Sequence, residues 1–191
     1  GATILSGFNQ LAAGINSLIG QGLSNCVNNC FSTIINGQCN LVSGNVSTIS
    51  GGYCNQVCAC YNFVGGGVKN VIGCCSPYST IDSGCCNVIN GCASSIQNGL
   101  RNEICSGANF STIGSGKFNC ILTNATYSSI GGGTNNCIGN TQATIAGGVL
   151  NVNCGRSAFI GGGVGHFSSG CESFIGGGNS NCIVFWCESS I

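Results

Sequence analysis

Cysteine is the residue type with the most chemical potential in this chain, which contains 18 cysteines among 191 residues. Cysteine content of this order is typical of disulfide scaffolds in secreted proteins. The sequence has no Cys-x-x-Cys spacing, so it does not favour zinc or iron–sulfur ligation, and we expect no metal ion and no cofactor. The cysteines therefore predict cross-links in an extracellular protein.

Several cysteines recur at the same position of a repeat that is defined below. If successive repeats stack, such pairs come within the Cα separation of roughly 4.4–6.8 Å that a disulfide requires. Their positions alternate with inward ones, so these side chains should face outward. The alternative, free thiols acting as small apolar side chains, stays open. The candidate disulfide residues are Cys39 with Cys54, Cys120 with Cys137, Cys60 with Cys75 and Cys92, and the near-matching Cys154 and Cys171.

The residues that could perform acid–base catalysis are few and scattered. His166 is the only histidine, so no nucleophile–base pair is predicted. No carboxylate pair is predicted either, because the four acidic residues fall at different repeat positions: Asp82, Glu103, Glu172 and Glu188. Glycine triplets occur without the Gly-Lys-Ser/Thr of a phosphate loop, and a single aspartate cannot build a calcium-binding solenoid. We therefore expect no catalytic residues and no enzyme activity.

Three tripeptides match the acceptor pattern for N-glycosylation, with Asn45, Asn109 and Asn124 as the acceptors. Chance matches are common in a chain rich in asparagine and serine. All three nevertheless fall late in their repeats, where a loop or corner is expected. They are candidate glycosylation sites if the source is a eukaryote.

These residues are carried by a repeat whose template is the segment from Ser128 to Ile138. An aliphatic anchor recurs every 15 or 17 residues, with a final spacing of 16, and a glycine always follows three residues later. The anchors are Ile4, Ile19, Ile34, Ile49, Val64, Ile81, Ile96, Ile113, Ile130, Ile145, Ile160, Ile175 and Ile191. The glycines are Gly7, Gly22, Gly37, Gly52, Gly67, Gly84, Gly99, Gly116, Gly133, Gly148, Gly163 and Gly178.

The period is too short to contain a helix, and each repeat offers two β-branched segments bounded by glycine. The sequence therefore predicts an all-β fold, a parallel β-solenoid of about twelve turns that forms one uncapped domain over residues 1–191. The glycine column should lie at a corner where φ is positive or the backbone is crowded. In the 17-residue repeats, the additional residues should bulge outward.

Six residues after the anchor, asparagine is repeated. Stacked amides can donate and accept along the axis and satisfy backbone groups of the corner, which explains this residue type without a ligand. Gln10 and His166 take the same position in two repeats. The predicted asparagine ladder comprises Asn25, Asn40, Asn55, Asn70, Asn87, Asn102, Asn119, Asn136, Asn151 and Asn181.

Charge and hydropathy limit the partners. Only four basic and four acidic residues are present, so there is no basic surface to attract nucleic acid. No apolar run approaches the roughly 20 residues of a membrane-spanning helix, so membrane insertion is not expected.

The pattern Ser-x-Ile-x-x-Gly-x-x-Asn-x-Ile resembles the parallel β-roll repeats of trimeric autotransporter adhesin heads. It is also similar to the Gly-Gly-Gly-x-x-Asn repeats of bacterial surface and phage-fibre-like proteins. The resemblance covers the whole chain and implies a left-handed solenoid. It also implies a role in adhesion or in building a fibre.

Because neither end departs from the repeat, we expect one chain to template the next. The predicted function is a structural subunit of a secreted filament that polymerises head to tail and is stabilised by disulfides. The alternative is an adhesin head or fibre segment that binds a host or surface ligand such as a glycan. Ice binding has less support, because Leu18, Phe63, Phe159 and Phe174 interrupt the row of outward threonines.

Overall fold

The computed structural model describes residues 1–184, and the predicted anchor Ile191 lies outside the described residues. Within this range the chain is an all-β parallel solenoid of twelve coils, as predicted. No helix in the described range is long and apolar enough to cross a membrane. The repeat forms two-residue strands because β-branched pairs are followed at once by glycine or by a turn.

The strands form two parallel sheets of twelve strands each, and every coil contributes one strand to each sheet. The anchor sheet contains β1 Thr3–Ile4, β3 Leu18–Ile19, β5 Thr33–Ile34, β7 Thr48–Ile49, β9 Phe63–Val64, β11 Thr80–Ile81, β13 Ser95–Ile96, β15 Thr112–Ile113, β17 Ser129–Ile130, β19 Thr144–Ile145, β21 Phe159–Ile160 and β23 Phe174–Ile175. The second sheet contains β2 Leu11–Ala12, β4 Cys26–Val27, β6 Leu41–Val42, β8 Gln56–Val57, β10 Val71–Ile72, β12 Val88–Ile89, β14 Glu103–Ile104, β16 Cys120–Ile121, β18 Cys137–Ile138, β20 Val152–Asn153, β22 Phe167–Ser168 and β24 Cys182–Ile183. A third column of single-residue parallel bridges runs from Phe8 to Asn179.

The core is a narrow double file of aliphatic side chains. The anchors from Ile19 to Ile160 are fully buried, and so are the second-sheet aliphatics from Val27 to Ile138. The residue that precedes each buried one is half-buried or exposed, as the alternation of a strand requires. The outward side chains of each sheet therefore form columns along the axis. Within a column, neighbouring side chains come from successive coils.

Three residues in a typical coil adopt a left-handed backbone. In the ninth coil these are Gly133 at φ 91°, Asn135 at φ 55° and, just before its anchor strand, Tyr127 at φ 57°. A Cβ at Gly133 would meet the carbonyl oxygen of Gly148 and the side-chain nitrogen of Asn136. The glycine column is thus required both by its φ and by the close approach of the next coil.

The 17-residue coils differ in part from the expectation that their additional residues bulge outward. Cys74 and Cys75 are exposed as predicted, but the following Ser76 is fully buried and donates to the carbonyl oxygen of Ile89 over 3.1 Å. Ala108 and Ala125 are buried in the same way in the other two long coils. A small buried residue occupies the core position at this corner in each long coil. The two additional residues therefore lie before that position.

In two coils the apolar residue of the second sheet stands one position earlier than usual, at Val152 and Phe167. These coils nevertheless keep the register of their neighbours. Asn153 pairs with Ile138 and Ser168 with Asn153, and both polar residues are fully buried. Asn153 Nδ2 donates to the carbonyl oxygen of Ala158 over 2.9 Å. Ala158 stands two residues before its anchor, where most coils have a serine. In this coil the buried polar side chain is therefore Asn153 of the second sheet instead of a serine beside the anchor sheet.

Candidate functional sites

The predicted asparagine ladder forms one file of amides. From Asn25 to Asn151 these side chains are buried, whereas Asn181 is exposed in the last described coil. Each side-chain oxygen accepts the backbone N–H of the next ladder residue, for example Asn119 Oδ1 from Asn136 N over 3.0 Å. Asn119 Nδ2 donates to Ser115 O in its own coil and to Gly133 O in the next. The ladder therefore ties each corner to the following one.

A second ladder, formed by serine side chains, lies two residues before the anchors. Ser47 Oγ accepts the backbone N–H of Asn62 over 3.1 Å and donates to the carbonyl oxygen of Ala59. The same pattern continues through Ser79, Ser94 and Ser111 to Ser128. The recurring small residue was visible in the sequence, but its hydrogen bonds depend on the distance between coils.

His166 continues the ladder as a substitute for asparagine. Its backbone N–H donates to Asn151 Oδ1 over 3.0 Å, and its Nδ1 accepts the N–H of Asn181 over 3.1 Å. The ring is 1% exposed, and Nε2 has no hydrogen-bond partner. The ring does not make the donation to the next corner that an asparagine amide makes, so this rung is incomplete.

Among the described cysteines, Cys171 is disulfide-bonded and the other sixteen are free thiols. Cys39 and Cys54, which the sequence predicted as a disulfide pair, contact each other through their side chains and are both free thiols. Burial is the largest cause that raises the pKa of the Cys39 thiol, and the neighbouring Cys54 raises it further. Cys120 and Cys137 are direct register partners in adjacent strands.

Two of the predicted cysteine groupings differ from the structure. Pro77 lies between Cys60 and Cys92 in the stack, because Tyr78 N donates to Cys60 O and Ala93 N to Pro77 O. The two-residue insertion places Cys75 in the outward bulge instead. Cys154 is a free thiol whereas Cys171 is bonded, so these two are not joined to each other. They stand nine and eleven residues after their anchors, on different parts of the coil.

A cluster of sulfur and carboxylate atoms lies on the outer face of the second sheet. One ligand atom each from Glu103, Cys105 and Cys120 lies within 4.8 Å of the other two. The Cys105 and Cys120 sulfurs are 3.8 Å apart, and the Glu103 carboxylate also contacts the Cys105 thiol. Burial, and then the neighbouring Cys105, raises the pKa of the Cys120 thiol far above its ordinary value. We name these three residues the thiol–carboxylate cluster.

The three glycosylation candidates occupy two kinds of position. Asn45 Oδ1 accepts the N–H of Cys30, and Asn109 Oδ1 accepts the N–H of Cys92 over 2.8 Å, so these two are equivalent. Asn124 lies two residues earlier, in the bulge of a long coil. Asn45 and Asn124 are exposed, whereas Asn109 is half-buried.

Exposed apolar side chains line the corner that precedes the anchor sheet. Each adopts a left-handed backbone, which is unusual for bulky residues. The rings of Tyr61 and Tyr78 stack with centroids 5.0 Å apart, and those of Phe110 and Tyr127 do the same. Because the faces stack on each other along the axis, ring edges are what the surface presents. We name this feature the corner ridge; it comprises Phe31, Val46, Tyr61, Tyr78, Phe110 and Tyr127.

The outward hydroxyl row on the anchor sheet is continuous for five coils only. It runs through Thr80, Ser95, Thr112, Ser129 and Thr144, with a 3.2 Å hydrogen bond between Ser95 and Thr112. Phe63 and Phe159 are the register neighbours at its two ends. The row is therefore short and bounded by aromatic rings.

No protein-family model matches this chain, and no curated protein matches it significantly in sequence. The likeness to adhesin heads and fibre repeats thus stays an expectation based on the repeated motif.

Proposed function

We propose that this chain is a structural subunit of an extracellular filament, in which copies join head to tail by continuing the parallel β-stack. The observation that carries the proposal is the identical parallel register of the coils, which lets any further coil in the same orientation extend both sheets. Ile19, which has a coil on each side, is fully buried. What buries an anchor in this fold is another coil in the same orientation, and a second copy of the chain supplies one.

Both ladders support this mode of association. A coil added below the first would place its amide and serine groups in line with Gln10 and with the serine column. Such a junction would satisfy backbone groups by the same contacts that join the coils within one chain. The interface would be formed from repeating structure and would need no specialised surface.

Disulfides are proposed to strengthen the subunit, and Cys39 with Cys54 is the pair that geometry favours. Their side chains are in contact on neighbouring coils. Closing a loop of this length is worth about 3 kcal/mol in the chain-entropy account. Peptide mapping of the non-reduced secreted protein would detect this cross-link, and Cys54→Ser should then lower the unfolding free energy by a similar amount.

Negative-stain microscopy and sedimentation, each with and without reductant, test the filament. We expect rods that lengthen with protein concentration. Ile4→Lys should shift the protein to folded monomers, because it places a charge at the proposed junction between copies. Thr48→Lys is the matched control, since it lies on the outward face of an interior coil. Dispersed monomers that persist at every concentration would contradict the proposal.

The corner ridge favours a second candidate, an adhesin head or fibre segment. Four exposed apolar side chains from Phe31 to Tyr78, and two more after Ala93, form a surface of the kind that partners bind. Saturable binding to a glycan or matrix protein, lost in a Tyr61→Ser and Tyr78→Ser double variant that still folds, would favour this function over filament formation. Ice binding has weaker support because the hydroxyl row is short, and a thermal hysteresis assay tests it directly.

A further inference from the structure

The thiol–carboxylate cluster has the arrangement of a metal site that spans two coils. Glu103 and Cys105 are two residues apart in one coil and therefore point to the same face of the sheet. Cys120 is the register partner of Glu103 on the next coil. Three side chains of ligand type thus converge from two adjacent strands.

The backbone beneath the cluster is held firmly. Ile104 and Ile121, which lie between and beside the three residues, are fully buried and paired with each other. Cys105 N donates to the carbonyl oxygen of Ile121 over 2.9 Å. Ligands carried by packed strands keep their spacing whether or not an ion is bound.

The distance between the sulfurs suits a shared tetrahedral ion. Two thiolates that each lie about 2.3 Å from zinc at the tetrahedral angle are about 3.8 Å apart. The Cys105 and Cys120 sulfurs are separated by 3.8 Å. A disulfide would require the same two atoms to approach to about 2.05 Å. The carboxylate of Glu103 supplies a third, harder ligand that zinc also accepts.

We propose that Glu103, Cys105 and Cys120 bind one zinc-like divalent ion on the outer face of the solenoid, with water in the fourth position. Binding forms two metal–sulfur bonds and one metal–oxygen bond. The two S–H bonds break and their protons pass to the solvent or buffer, and the hydrated ion releases the water molecules that the three side chains replace. No sulfur is oxidised, so no oxidant or reductant takes part.

A bound ion holds the two neighbouring coils together through metal–ligand bonds instead of through a disulfide. It also opposes oxidation, because a coordinated Cys105–Cys120 pair cannot form a cross-link. The proposal does not depend on filament assembly, since all three residues belong to two adjacent middle coils of one chain.

The test uses the full-length chain, reduced, freed of metal and kept anaerobic. Zinc binding is measured by competition with a chromophoric chelator, and Co²⁺ is the spectroscopic probe. We expect the strongest binding event to have a stoichiometry of one ion per chain. The cobalt complex should show the visible bands of tetrahedral coordination and a sulfur-to-cobalt charge-transfer band.

Cys105→Ser and Cys120→Ser should each weaken this event by at least roughly tenfold, since they remove a direct ligand. Glu103→Gln should weaken it while leaving the charge-transfer band. Cys137→Ser is the matched control, because Cys137 occupies the same column one coil further on. It should bind zinc as the wild type does, and circular dichroism verifies that each variant is folded.

Three results would overturn the assignment. One is equal zinc affinity of the wild type and Cys105→Ser. Another is an octahedral cobalt spectrum without sulfur charge transfer. The third is a disulfide from Cys120 to either Cys105 or Cys137 in the protein isolated without reductant.

Discussion

Asn136 Nδ2 donates to the carbonyl oxygen of Gly148, the corner glycine of the next coil, over 2.9 Å. The same amide donates to Gly132 O in its own coil over 3.0 Å. One side chain therefore supplies the partner of Gly132 O and a second hydrogen bond to Gly148 O, which also accepts the N–H of Thr134. This relationship between ladder and corner is repeated along the solenoid and explains why neither residue type varies freely.

The ladder should be sensitive to truncation at any interior rung. Asn119→Ala leaves Ser115 O and the N–H of Asn136 without their buried partner and removes one of the two hydrogen bonds to Gly133 O. We expect the free energy of unfolding to fall by roughly 3 kcal/mol, measured by urea denaturation. Asn28→Ala, at an exposed position, is the control and should change it little. Equal effects of the two substitutions would contradict this role.

Adjacent glycines of one triplet should respond very differently to a methyl group. A Cβ at Gly67, where φ is 89°, would meet Gly84 O, whereas a Cβ at Gly66 meets nothing within 4 Å. Gly67→Ala should therefore cost roughly 2–4 kcal/mol, and Gly66→Ala should stay within about 1 kcal/mol of the wild type. Thermal and urea unfolding of the two variants provide the measurement. A larger loss at Gly66 would refute the assignment of the corner.

His166→Asn should stabilise the protein. The histidine leaves Nε2 buried without a partner, and an asparagine amide at this rung can donate to the corner carbonyls, as the other ladder residues do. We expect a gain of about 1 kcal/mol in unfolding free energy. His166→Ala is the comparison, and it should be less stable than the wild type. A destabilised His166→Asn variant would show that the ring makes packing contacts that the amide cannot replace.

The raised pKa of Cys120 should appear in its reactivity. Burial and the nearby Cys105 disfavour the thiolate, which is the form that reacts with iodoacetamide. In the reduced, metal-free protein, Cys120 is therefore protonated at neutral pH. Its alkylation rate should keep rising to a higher pH in the folded protein than in the same protein unfolded in urea. Mass spectrometry of timed samples follows Cys120 in both.

The pH profile separates ionisation from simple shielding. Shielding alone would slow Cys120 by the same factor at every pH. Rates that level off at the same pH in the folded and in the urea-unfolded protein would therefore argue against a raised pKa.

Glycan occupancy should follow exposure. If the chain passes through a eukaryotic secretory pathway, Asn45 and Asn124 should be modified more fully than the half-buried Asn109. Enzymatic deglycosylation in isotopically labelled water, followed by peptide mass spectrometry, gives the occupancy of each residue. Highest occupancy at Asn109 would contradict this order.

The repeated spacing was enough to predict the solenoid, its twelve coils, the inward anchors and the position of the corner. The period is a spacing of residues along the sequence itself, so a helix or a long insertion would be visible as a break in that spacing. Ile19 and Asn40 could be assigned to the interior because alternation along a strand depends only on residue parity.

Contacts between coils were decided by the tertiary structure. Cys75 and Cys60 stand at equal distance from their anchors, yet a two-residue bulge places Pro77 where Cys75 was expected. Likewise, Glu103, Cys105 and Cys120 follow no familiar sequence motif, because their proximity arises from a register across two strands plus a step of two along one of them. A linear pattern records the order of residues within a coil, whereas chemistry between coils depends on how each insertion shifts the next coil against the last.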